Sequence, residues 1–181
     1  QININKRPAI KEIVDEISLD GKITIRSTIN EKFQLRRIIF PSTDKPMFCE
    51  KYVLKNAGEK PATIEIPQID NILTTNPSDG VEGSYFLRVQ SGKAGVFVVQ
   101  PGDSITFYLS ISGAKNALDA GVADIDNELL KRDDFLQFLN RNLVLETPDE
   151  ILNKAFAFAK IRASESIYQT KGGPLHGPGG L

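Results

Sequence analysis

Tryptophan is absent from the 181 residues, and cysteine and histidine occur once each, as Cys49 and His176. A single cysteine excludes an internal disulfide framework and a cysteine-rich zinc site. A single histidine excludes a metal centre built on two of them, and no cofactor motif takes their place. No apolar run approaches the ~18 residues of a membrane-spanning helix, so no membrane span is expected. Neither charge is in excess: 22 Lys and Arg stand against 23 Asp and Glu, a net charge of −1. That balance leaves no basic footprint for nucleic acid or an anionic membrane. Basic and aromatic residues are not interleaved as single-stranded nucleic acid would require. What is present is an ordinary globular mixture, 40% apolar and 25% charged. Its length suits one domain, or one domain and the start of another, since domains run to ~100–200 residues.

Through residue 113 the pattern is one of short strands at regular spacing. Ile13, Ile17 and Leu19 lead into Asp20-Gly21, a hairpin signal. Ile23, Ile25, Ser27 and Ile29 alternate with Thr24, Arg26 and Thr28, the period of a strand with one face buried. Leu35–Phe40 forms a third run. In a fourth, Phe48, Tyr52 and Leu54 share one face and Cys49 and Val53 the other. Asn56-Ala57-Gly58 turns the chain into Ala62–Ile66. A loop rich in Asn, Pro, Ser, Asp and Gly is expected from Asn71 to Gly83. Strands follow over Tyr85–Val89, Ala94–Val99 and Ile105–Ile111, separated by Ser91-Gly92-Lys93 and Pro101-Gly102-Asp103. About eight strands with no helical run between them require antiparallel sheets, because parallel strands need crossovers of a dozen or more residues. The expected fold is mainly β: an antiparallel β-sandwich of about eight strands followed by C-terminal α-helices.

The period changes after Gly113. Leu118, Val122, Ile125, Leu129, Leu136 and Leu139 recur at helical spacing between Ala114 and Asn142, as one helix or as two hinged near Gly121 or Asp133-Asp134. A second helix is expected to start at Thr147, with Thr147 as cap, Pro148 in the first turn and Glu150 closing a capping box. Leu152, Ala155, Phe156, Ala159, Ala163 and Ile167 form its stripe, whose small residues suit close approach of neighbouring helices. One other helical segment cannot cover that stripe, so an exposed patch around Leu152, Phe156 and Ala159 and self-association through this helix are expected. The organisation is read as a sandwich over residues 1–113, a helical linker over 114–146, and a first helix and Gly-rich loop over 147–181. A Gly/Pro-rich stretch such as 172–180 more often connects two elements than ends a domain, so the chain is read as a piece of a longer protein; a floppy tail is the alternative.

Catalytic chemistry has little to draw on. No serine stands in a Gly-x-Ser-x-Gly elbow, and a Cys49–His176 pair would have to cross segments; Cys49 reads as a small buried strand residue. Asp124, Asp126 and Glu128 read as a solvated helix face. They open like a calcium loop, but Leu129 stands where such a loop needs glycine. Tyr52, Tyr85 and Tyr108 could serve as sugar platforms or as cross-strand packing. No residue is assigned a catalytic role.

The stretch Leu143-Val-Leu-Glu-Thr-Pro-Asp-Glu-Ile-Leu-Asn-Lys-Ala-Phe-Ala-Phe-Ala-Lys160, continuing through Ile161–Ile167 to Thr170-Lys-Gly-Gly-Pro-Leu-His-Gly-Pro-Gly-Gly180, resembles the junction in bacterial six-hairpin, or α,α-toroid, glycoside hydrolases. Those enzymes are laid out as β-sandwich, helical linker and a barrel of six helical hairpins. The resemblance implies a non-catalytic N-terminal fragment of an enzyme acting on poly- or oligosaccharide. Its partner would be its own toroid domain, and it would meet carbohydrate substrate through the parent enzyme, in the periplasm or outside the cell. In that family the acid and base come from later toroid segments, so no catalytic residue transfers. Lys171 and His176 are the substrate-side candidates the resemblance implies. A stand-alone carbohydrate-binding module and a structural or adhesion sandwich are the alternatives.

Overall fold

The computed structural model describes residues 2–8, 11–79, 83–116 and 124–177. The chain forms two compact units, Gln1–Arg132 and Asp133–Leu181. The first is a β-sandwich of two antiparallel sheets, and the fold is mainly β as the alternation predicts. Its larger sheet has seven strands: β3 (Glu12–Leu19), β4 (Ile23–Ile29), β5 (Phe33–Pro41), β6 (Met47–Asn56), β8 (Asp70–Thr74), β9 (Phe86–Gly92) and β11 (Ser104–Ala114). They lie in the order β3-β4-β5-β6-β11-β9-β8. The smaller sheet has β1 (Asn3–Ile4), β2 (Arg7–Pro8), β7 (Ala62–Ile66) and β10 (Gly95–Val99), in the order β10-β7-β1-β2.

The core lies between these sheets. Ile29, Phe33, Leu35, Leu54, Ile105 and Phe107 of the large sheet meet Ile4, Ala62, Ile64, Ile66 and Val99 of the small one. Register explains the selection: Ser27, Leu35, Leu54 and Ile105 stand in one cross-strand row, and Ile25, Arg37, Tyr52 and Phe107 in the next. Asn56 is buried at the edge of this core with its polar groups satisfied. Its Nδ2 donates to Lys60 O (2.9 Å) and Val99 O (3.0 Å), and its Oδ1 accepts from Gly58 N (3.0 Å). A buried amide left unpaired would cost ~1–3 kcal/mol.

Two strands of the small sheet have only two residues and the others five. They cannot cover strands of seven to eleven residues. Beyond the Arg37–Tyr52 row the inner face of the large sheet is open, and Ile17, Leu19, Ile23, Phe48 and Ile111 are exposed there. Phe48 therefore shares the face expected for it without being in the core.

On the opposite face, the start of α1 (Ile125–Arg141) packs through Ile125 and Leu129 on Phe40, Cys49, Met47 and Tyr108. Asp133–Arg141 belongs to the second unit. The helix runs through Asp133-Asp134 without the hinge considered there. It begins later than the periodicity suggests; Leu118, Val122 and Gly121 lie outside the described residues. The loop expected over Asn71–Gly83 is in part strand, since β8 pairs with β9 from Asp70↔Gln90 to Thr74↔Phe86.

The second unit contains α2 (Glu150–Glu165) and a hairpin of β12 (Ile167–Thr170) and β13 (Gly173–His176). The cap of α2 is Asp149, not Thr147: Asp149 Oδ1 accepts from Ile151 N (2.9 Å) and Leu152 N (3.2 Å). Thr147 instead exchanges bonds with Asn153, whose Nδ2 donates to Thr147 O (2.9 Å) while its Oδ1 accepts from Thr147 N (3.0 Å). A carboxylate is a stronger acceptor for two helix N–H groups than a hydroxyl, which moves the start by two residues. Ile167, expected at the end of the stripe, is the first residue of β12.

Candidate functional site

At the limit of the small sheet a cleft of about 350 Å³ opens on the inner face. Its walls are apolar, from Ile29, Leu35, Ile66 and Phe107, with Arg37 and Tyr52 as its polar floor. Strand register places Arg37, Tyr52 and Phe107 side by side on β5, β6 and β11. The Tyr52 ring stacks on Phe107 at 4.7 Å and 7°. Arg37 lies over the same ring, 5.6 Å from its centroid. Arg37 Nε and Nη2 both donate to Oε1 of the buried Glu50 at 2.7 Å. Burial, followed by the Glu50 carboxylate, pushes the Tyr52 phenol far above its ordinary range, so it stays protonated. Glu50 neutralises Arg37, and this centre binds its own groups rather than offering a free acid or base.

Of the residues expected as a solvated helix face, Asp124 is exposed and accepts from Asn127 N, Asp126 is exposed but bonded to the sheet, and Glu128 is locked beneath the helix on the outer face. Glu128 is fully buried. Its Oε2 accepts from Ser42 Oγ (2.5 Å) and its Oε1 from Lys45 Nζ (2.6 Å), with Lys131 Nζ at 3.4 Å. Burial alone would raise its pKa, but the hydrogen bonds from Lys45 and Ser42 and the charges of Lys45 and Lys131 outweigh that and hold it below the usual range. Asp126 accepts from Lys51 Nζ and Tyr108 Oη, each at 2.6 Å, and these bonds lower its pKa. The solvated reading holds for Asp124 and Asp126 and fails for Glu128, because helical periodicity does not show which exposed-looking turn meets a sheet. Cys49 lies beneath this helix, fully buried, and its thiol is pushed up to about 11 by burial and the Glu128 charge. That thiol is not a nucleophile at neutral pH.

The three tyrosines considered as sugar platforms are all engaged. Both faces of Tyr52 are flanked as described. Tyr108 is tied to Asp126, its phenol pushed up to about 12 by burial and that bond. Lys115 Nζ sits 3.7 Å from the Tyr85 ring centroid.

Lys171 and His176 fall on the second unit's hairpin, Lys171 exposed in its turn and His176 exposed on β13. His176 Nε2 is 3.1 Å from Ser166 Oγ. Ser166 Oγ donates to Ala163 O at 2.9 Å, so its single proton is spent and it accepts from the imidazole. This is a helix-end lock, not a base poised on a nucleophile. Among the described residues no group of three or more His, Cys, Asp or Glu side chains is arranged to hold a metal ion.

No protein-family model matches the chain, and no curated protein matches it in sequence. Among solved structures it is similar in part to a polysaccharide lyase, with 16% identity and a TM-score of 0.36 over 66% of this chain and 24% of the lyase. The chain thus spans about a quarter of that protein's length. The neighbour is a lyase, not a six-hairpin glycoside hydrolase, and a likeness this slight places no residue of one on the other.

Proposed function

We propose that this chain is a non-catalytic region of a carbohydrate-active enzyme of the glycoside hydrolase type, comprising a sandwich and the first helices of a helical catalytic domain. The sandwich would buttress that domain, and carbohydrate would be met by the parent enzyme, in the periplasm or outside the cell. The observation that supports this is the surface of Asp133–Leu181. Among its described residues only Leu136 and Ile161 are buried large apolar ones, while Phe138, Leu143, Val144, Ile151, Leu152 and Phe158 are exposed. Ile151 at 80% and Leu143 at 74% are nearly as open as in an unfolded chain. Burying one such side chain is worth ~1.5–3 kcal/mol, and surfaces of this kind are partner surfaces. Further helical hairpins would cover them.

The test is to compare this chain with a polypeptide extended by the segment that follows it in its gene. Extension is expected to slow amide exchange over Glu150–Glu165 and to reduce binding of an apolar dye. Hydrolysis of an aryl glycoside should need the extended form. Turnover by the present chain alone, or unchanged exchange on extension, would refute the reading.

A further inference from the structure

The outer face of the large sheet, covered by α1 at one end, is open at the other, and its charges there are arranged at a cost. Arg26 on β4 stands directly opposite Arg36 on β5. Arg36 stands opposite Val53 on β6, and Lys55, two residues along that strand, projects to the same side. Like charges facing one another across a sheet are destabilising. Arg26 has partial relief from Glu16 at 3.5 Å. The side chains of Arg36 and Lys55 are exposed and have no hydrogen bond or ion pair among the described residues.

These cations line a groove of about 420 Å³ whose other polar walls are Thr28, Gln34 and Ser104. Its rim on β3 is acidic, because a bulge between Val14 and Glu16 turns both Asp15 and Glu16 outward. Those acids are occupied: Asp15 Oδ2 accepts from Thr28 Oγ1 at 2.8 Å, and Glu16 faces Arg26. Three cations therefore face two carboxylates, and Arg36 and Lys55 are the cations left without a bond among the described residues, in a trough also lined by hydroxyl and amide groups.

We propose that this groove binds an acidic oligosaccharide, with a carboxylate or sulfate between Arg36 and Lys55 and sugar hydroxyls on Gln34, Thr28 and Ser104. Guanidinium and ammonium groups supply strong, charge-assisted bonds to such anions. The groove contains no aromatic side chain, which argues against single-stranded nucleic acid, whose bases need stacking platforms. Its floor lies on β4, β5, β6 and β11, which are paired on both sides, and the bulge in the β3 rim breaks the spacing that an added peptide strand would need. It offers no deep apolar pocket for a peptide anchor. The inference is independent of the docking role above, since every residue of the groove lies in Gln1–Arg132 and it needs no second domain.

The test is calorimetric titration of the 181-residue chain with tetragalacturonate, a sulfated heparin tetrasaccharide, maltotetraose and a tetraglutamate peptide. At least one acidic sugar is expected to bind, with affinity that falls as salt rises, and the two acidic sugars separate carboxylate from sulfate recognition. The R36Q/K55Q variant is expected to lose at least about tenfold in that affinity. Its melting temperature should hold or rise, because the like-charge opposition is relieved. The proposal is overturned if neither acidic sugar binds at millimolar concentration, if maltotetraose binds as tightly, if tetraglutamate binds more tightly than both, or if R36Q/K55Q binds unchanged.

Discussion

Single side chains hold the helix start to the sandwich, and Glu128 matters most among them. Its pKa is lower in the folded protein than in the unfolded chain. The unfolded state therefore binds the extra proton first, and the stability Glu128 supplies is present above the ordinary carboxylate range, near pH 4.3, and is lost as pH falls through the folded value. Asp126, lowered by Lys51 and Tyr108, adds to the same trend. Thermal melting from pH 7 to pH 3 should show a steep acid-side loss that Glu128→Gln flattens. At pH 7 that variant should cost ~1.5–3 kcal/mol, the scale of hydrogen bonds to a charged group. Ser27 shows the opposite case. It is buried in the core row beside Leu35, and its Oγ has no partner among the described residues. Ser27→Ala removes an unpaired hydroxyl, so its denaturation midpoint should equal or exceed that of the natural protein; a loss above ~1 kcal/mol would reveal a bond to that oxygen.

Among the elements, α2 has the feature that sequence reading missed most completely. Lys160 directs its Nζ at the carbonyl oxygens of Leu139 (3.0 Å), Asn140 (3.3 Å), Asn142 (2.9 Å) and Leu143 (2.9 Å). It thereby serves the open carbonyl end of α1, where Leu143 turns away with φ of +56°. Lys160→Met should destabilise the second unit by ~1–2 kcal/mol, seen as faster amide exchange there while the sandwich strands keep their protection. Nothing in the spacing of Lys160 signals this, because its partners are backbone atoms some twenty residues earlier. The sandwich strands with long alternation, such as β4, β5 and β11, were legible because period two records which face is covered. β1 and β2, two residues each, carry no period at all. β8 lies in a polar segment and is held partly by Asp70, which pairs with Arg88 on β9. The β12–β13 hairpin was hidden inside an apparent Gly-rich loop, although Lys171-Gly172 at its turn was a signal. The candidate groove was invisible because its residues come from five strands and only register brings them together.

For the molecule as a whole, burial is uneven. The sandwich has a continuous core, whereas the described residues of Asp133–Leu181 expose most of their large apolar side chains. Ile151 and Leu152 begin α2 as an open pair, while Phe156, expected in the same patch, is half-buried beside Lys160. Self-association through α2 is thus expected at high concentration, and the double change Ile151→Ser with Leu152→Ser should shift sedimentation toward monomer while leaving sandwich melting within ~0.5 kcal/mol, as for surface changes. A large melting loss would mean that these side chains already belong to a core. The bulged strand has a different consequence. Among the described residues β3 is an edge strand of the seven-stranded sheet, and all eight of its residues are exposed. A straight apolar edge of that length would template the strand of another copy and start a fibre. The extra residue at Asp15 interrupts the spacing of its hydrogen-bonding groups, and Glu12, Asp15 and Glu16 repel a second edge of the same kind. The same short acidic segment that frames the groove therefore also ends the sheet, keeping the protein from growing by strand addition.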